Sequence, residues 1–82
     1  MTATAPSPQL DQVLAAVYGF WAESTGGAAK LEAVEALVRN ARLSSAVIKG
    51  QVIPKIPHEA SGPTGQRCRR LIRMLERVAQ GV

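Results

Sequence analysis

Residues that carry chemistry are scarce in this chain. It has one histidine and one cysteine among 82 residues. A lone cysteine forms no internal disulfide, and Cys68 falls on the apolar arc of a helical stretch, so it is expected as a buried, inert thiol. His58 is expected in a loop beside Glu59, as a solvated pair. No acidic pair is placed by a recognisable motif, and neither a metal-ligand cluster nor a nucleotide-binding loop appears. The run Gly62-Pro63-Thr64-Gly65 lacks the Lys-Ser/Thr of a phosphate loop and reads as a turn and helix cap. These absences point away from an enzyme and imply no cofactor and no metal.

Aromatics are as sparse: Tyr18, Phe20 and Trp21 are the only three, all near the start of the chain. A platform for stacking unpaired bases needs exposed aromatics interleaved with basic residues. The basic half has none, which argues against single-stranded nucleic acid as the main ligand. No apolar run is long enough to cross a membrane, and the opening MTATAPSP has neither a basic nor an apolar targeting region. A cytoplasmic protein without a membrane partner is expected.

What is present is helical patterning and a lopsided charge. The composition, 46% hydrophobic and 20% charged, is that of a globular chain. Its length suits one domain near the lower size limit for a self-sufficient core, which makes a homodimer a reasonable expectation. Residues 1–38 hold Lys30 against Asp11, Glu23, Glu32 and Glu35, a net −3. Residues 39–82 hold nine Lys or Arg against Glu59 and Glu76, a net +7. Such segregation is the usual footprint of nucleic-acid contact, and it would also attract an acidic protein.

The expected architecture is all-α: three long or medium helices and one short one, in a single domain over residues 7–82, behind a disordered tail at 1–6. Ser7 and Pro8 suit the cap and first position of a helix running to about Glu23, with Asp11 favourable to its dipole. Leu10, Val13, Leu14, Val17, Phe20 and Trp21 make its apolar stripe, with Tyr18 at the edge. Trp21 reads as an anchor of the core or of a dimer seam. Residues 28–41 form the second helix, with Leu31, Val34, Leu37, Val38 and Ala41 inward. Ser44 is a fitting cap for a short third helix over 45–51, and helix, turn and helix together make a candidate helix-turn-helix.

Prolines 54 and 57 then forbid an ordinary helix interior and predict an extended arm over 52–57. The stretch SSAVIKGQVIPKIP is similar to the helix-then-IP-wing pattern of small excisionase-type DNA-binding proteins, though the spacing ahead of it is longer and the wing aromatics are missing. The segment is expected either as a short strand or wing that carries Lys55 toward a phosphate, as the resemblance implies, or equally as a connector pinned by Ile53 and Ile56.

The stretch GQRCRRLIRMLERV, residues 65–78, carries half of the ten basic residues. On a helical wheel Cys68, Leu71, Ile72, Leu75, Val78 and Ala79 form one arc, and Arg67, Arg69, Arg70, Arg73 and Arg77 the other. Thr64 is the expected cap and Gly81 the stop. Glu76 is the only acid on the cationic arc, so the arginines cannot all be neutralised by neighbours three or four residues away. Guanidinium is suited to bidentate phosphate or carboxylate contacts.

The expected function is a small dimeric double-stranded-DNA-binding protein, a transcriptional repressor of plasmid or phage type. Arg42, Lys49, Lys55, Arg67, Arg69, Arg70, Arg73 and Arg77 would contact the backbone, and Ser44, Ser45, Lys49 and Gln51 would read bases. The alternative is an inhibitor or adaptor that sets the arginine helix on an acidic partner protein.

Overall fold

The computed structural model describes residues 8–22 and 27–81. The fold is all-α, without a strand among the described residues. Four helices follow one another: α1 Pro8–Ala22, α2 Ala28–Ala41, α3 Ser45–Val47 and α4 Gly62–Gln80. The expected tail and the Ser7 cap lie outside the described residues.

Helical periodicity explains how the long helices pack. Val13, Val17 and Phe20 of α1 recur at spacings of four and three and are buried, as are Val34 and Val38 of α2. Leu31, Leu37 and Ala41 pack against this core from its edge. Helix α4 is the central element, contacting α1, α2 and the segment that begins at Ser45. Its buried arc comprises Gly65, Cys68, Leu71, Met74, Leu75, Val78 and Ala79. That arc is turned toward Met74 relative to the expected one, and Ile72, expected inward, is only half-buried. The third neighbour is the reason: a helix with partners on several sides buries a wider arc than a two-helix stripe requires.

The extended arm is not what forms. Residues 48–52 make a π-helical turn and Ile53–Lys55 a turn of 3-10 helix, so the chain stays helical from Ser45 to Lys55 and first extends at Ile56. The prolines act through geometry. In a regular α-helix the ring of Pro54 would collide with the carbonyl four residues back, at Gly50, and its missing N–H would orphan that carbonyl. Widening the turn, with the Ile53 N–H donating to the Ile48 carbonyl five residues back, relieves both. The irregular coil then sends Ile48, Val52 and Ile56 inward, each at most 1% exposed. The wing implied by the IP resemblance is therefore absent, and the third α-helix ends at Val47 rather than Gln51.

Two connections are set by single residues. The chain leaves α2 through Arg42 in the left-handed region, φ 56°, with its N–H donating to the Arg39 carbonyl. Ser44 caps α3 as expected: its Oγ accepts from the Val47 N–H at 3.2 Å. At the start of α4, Ser61 rather than Thr64 occupies the cap position, and Gly62 takes a left-handed φ of 67° that a side chain would resist. One turn later, Gly65 presses against the Ala60 backbone so closely that a Cβ there would collide with the Ala60 carbonyl.

Candidate nucleic-acid interface

The seven arginines and three lysines do not act as one surface. Arg67, expected on the cationic face, is half-buried and turned back into the fold. Its Nε and Nη2 donate to the Trp21 carbonyl at 3.3 and 3.1 Å, and Nη2 also donates to Thr64 Oγ1 at 3.1 Å. A carbonyl in the last turn of α1 has no intrahelical partner, and the guanidinium supplies one while tying α1 to the start of α4. Thr64 thus positions an arginine instead of capping the helix.

Arg77 is engaged as well. Its Nη2 lies 3.3 Å from Glu35 Oε1, while Arg39 Nη2 lies 2.8 Å from Glu35 Oε2, so one carboxylate of α2 is shared between two arginines. The hydrogen bond from Arg39, helped by the charge of Arg77, holds the Glu35 carboxyl below its ordinary value against a smaller opposing effect of desolvation. No local spacing relates Glu35 to Arg77, since their meeting depends on how α2 and α4 pack.

Arg69, Arg70 and Arg73 remain. All three are exposed, and among the described residues none is paired with a carboxylate. With Gln66 they line an open depression of about 160 Å³ on α4. Arg69 and Arg73 are one turn apart, and Arg70 and Arg73 are three residues apart, so three like charges crowd one side of a helix. Each such pair costs a few tenths of a kcal/mol in the free protein. An anion in the depression would remove that repulsion and accept from several guanidinium donors at once.

The other expected site residues are dispersed. Arg42 borders a separate hollow of about 230 Å³ with Val38, Arg39, Leu43, Val78 and Gly81, at the far end of α4. Lys55 borders the aromatic groove of α1. Lys49 and Gln51 are exposed on the π-helical turn. Ser44 uses its side-chain oxygen as the α3 cap, and Ser45 is half-buried. Helix, turn and helix do follow in order from α2 to α3, but α3 is a single turn whose packing is on α4 and on the coil that follows it. Of the eleven expected residues, the fold gathers Arg69, Arg70 and Arg73, and it adds Gln66. The i, i+3, i+4 and i+7 spacing from residue 66 to residue 73 was the signal for that addition.

Cys68 lies under this face, 1% exposed, and burial pushes its thiol above the ordinary value against the pull of Arg67 and Arg69. His58 is exposed in the loop before α4. Among the described residues no group of three or more His, Cys, Asp or Glu side chains comes together as a metal site, and no helix is long and apolar enough to cross a membrane.

No protein-family model matches this chain, and no curated protein or solved structure matches it.

Proposed function

We propose that this chain is a small double-stranded-DNA-binding protein that grips the phosphate backbone with the outer face of α4. In this reading it acts as a compact transcriptional repressor working as a homodimer. The observation that carries the reading is the unpaired trio Arg69, Arg70 and Arg73 around one open depression. Arginines that serve the fold find partners within it, as Arg67 and Arg77 do. These three point to an anion from outside, and a row of guanidinium groups along a helix suits successive phosphates. Lys49 and Gln51, exposed on the π-helical turn, are the side chains best placed to touch base edges, because the Ser44 Oγ is engaged as a helix cap and Ser45 is half-buried. Sequence preference should accordingly be modest.

The test is a salt series with labelled duplex DNA, comparing the protein with its Arg69→Ala/Arg70→Ala/Arg73→Ala variant. Affinity should fall steeply with salt, and the triple variant should lower the magnitude of the log–log slope by about 2.7 if each arginine neutralises one phosphate. A slope that the variant leaves unchanged would refute the site.

A second reading has its own observation. The thin set of base-reading groups also fits a helix that binds an acidic protein surface. A stoichiometric complex with one acidic protein, without duplex binding even at low salt, would favour that adaptor.

A further inference from the structure

The outer face of α1 is as unusual as that of α4, for the opposite reason. In the fifteen residues of α1 the one charged side chain is Asp11. The inward arc is accounted for by Val13, Val17 and Phe20. Facing outward are Asp11, Ala15, Tyr18 and Ala22, which share a line along the helix at spacings of four, three and four, and all are exposed. Tyr18 is 55% exposed and is the one large hydrophobic side chain so open among the described residues. Beside this line a groove of about 390 Å³ is formed by Leu14, Val17, Tyr18 and Trp21, with Lys55 at its border. Two of its walls touch each other. The Tyr18 and Trp21 rings meet edge-to-face at 5.1 Å and 74°, and the Trp21 carbonyl is clasped by Arg67. This face, with one charge, an open aromatic ring and a groove beside it, is suited to being covered by a partner.

We infer that the partner is a second copy of this chain, with the two α1 helices crossing antiparallel over this face. Two features of the face select a second copy. First, it is self-complementary in size: a two-fold crossing between Ala15 and Tyr18 sets each Tyr18 ring over the partner copy's Ala15, where there is room for it, beside the partner copy's groove. Second, it is self-complementary in charge. The same crossing sets Asp11 opposite Ala22 of the other copy, one residue beyond Trp21 of the groove that Lys55 borders, so each copy's only α1 charge is directed toward an opposite one. A basic partner would leave Lys55 opposed, and an acidic partner would leave Asp11 opposed. The arginine trio of α4 lies outside this seam. The inference deepens the duplex-binding reading by giving its dimer a surface, and its readouts need no DNA.

Sedimentation velocity and light scattering over a wide concentration series test it, with the emission of Trp21, the only tryptophan, followed in the same samples. The full chain should dimerise, with Trp21 emission moving to shorter wavelength as it does. Tyr18→Glu should be monomeric throughout with unchanged helical circular dichroism, since Tyr18 is not part of the buried core. Asp11→Lys and Lys55→Glu should each weaken the dimer about five-fold, and the double swap should recover it, as coupled partners do. A chain that stays monomeric at the highest concentration would overturn the inference. So would a dimer that Tyr18→Glu leaves intact, or charge swaps whose losses simply add. A monomer whose Trp21 emission shifts only with the apolar dye ANS would assign the groove to another occupant and equally overturn it. Loss of DNA binding in a protein that still dimerises through Tyr18 would refute the duplex reading and support this one.

Discussion

Helices α1 and α4 solve the same packing problem with opposite outer surfaces. Both bury a stripe of aliphatic residues against the shared core. Outside, α1 offers Ala15, Tyr18 and Ala22 around a single aspartate, whereas α4 offers Gln66, Arg69, Arg70 and Arg73. Water tolerates the second surface readily and the first poorly, so their free energies are improved by different partners. Apolar area asks for another apolar face, and crowded guanidinium groups ask for anions. The contrast also separates arginines that build the fold from arginines left available, and that separation can be tested residue by residue.

The largest effect should come from the inner face of α4. Leu71 is fully buried, and Leu71→Ala should lower unfolding stability by about 2–5 kcal/mol, read by urea denaturation. A loss below about 1 kcal/mol would mean that α4 is not the central element. Next is Arg67, the arginine drawn inward. Arg67→Ala removes both donors to the Trp21 carbonyl and should cost about 1–2 kcal/mol, with a change in Trp21 emission. If it instead behaves like Arg70→Ala, the distinction between structural and available arginines fails.

A smaller effect is expected at Glu35. Its carboxyl has a folded-state pKa below the ordinary value, so its pairs with Arg39 and Arg77 stabilise the fold fully above the ordinary carboxylate range. That contribution should be lost as pH falls through the lowered folded value. Thermal melts of Glu35→Gln against pH should accordingly show a shallower acid limb, with a deficit at neutral pH of about 0.2–1 kcal/mol because the pairs are exposed. Smallest of all is the stability change in the Arg69→Ala/Arg70→Ala/Arg73→Ala variant. Its melting temperature should be unchanged or slightly raised, since three surface side chains with mutual repulsion are removed. A marked drop would show that these arginines serve the fold after all.

Much of the fold was legible in the sequence because helix periodicity is a local property. The span of α2, the cap at Ser44, the burial of Cys68 and the cationic outer arc of α4 all follow from spacings within one helix. The arm over 52–57 was misread because proline excludes the regular α-helix but not the wider π turn and the 3-10 turn that replace it. What drives that choice is the burial of Ile48, Val52 and Ile56 in the shared core, which a local rule does not include.

The sequence by itself determined that the chain folds as helices, that its basic charge is concentrated in the second half, and that its aromatics are confined to α1. The tertiary structure decided which charges are available. Arg67 is claimed by a carbonyl 46 residues away and Arg77 by a carboxylate 42 residues away, while Arg69, Arg70 and Arg73 find no carboxylate partner among the described residues. The physical reason is that an ion pair or hydrogen bond depends on distance in space, and only the packing of α1 and α2 on α4 sets those distances.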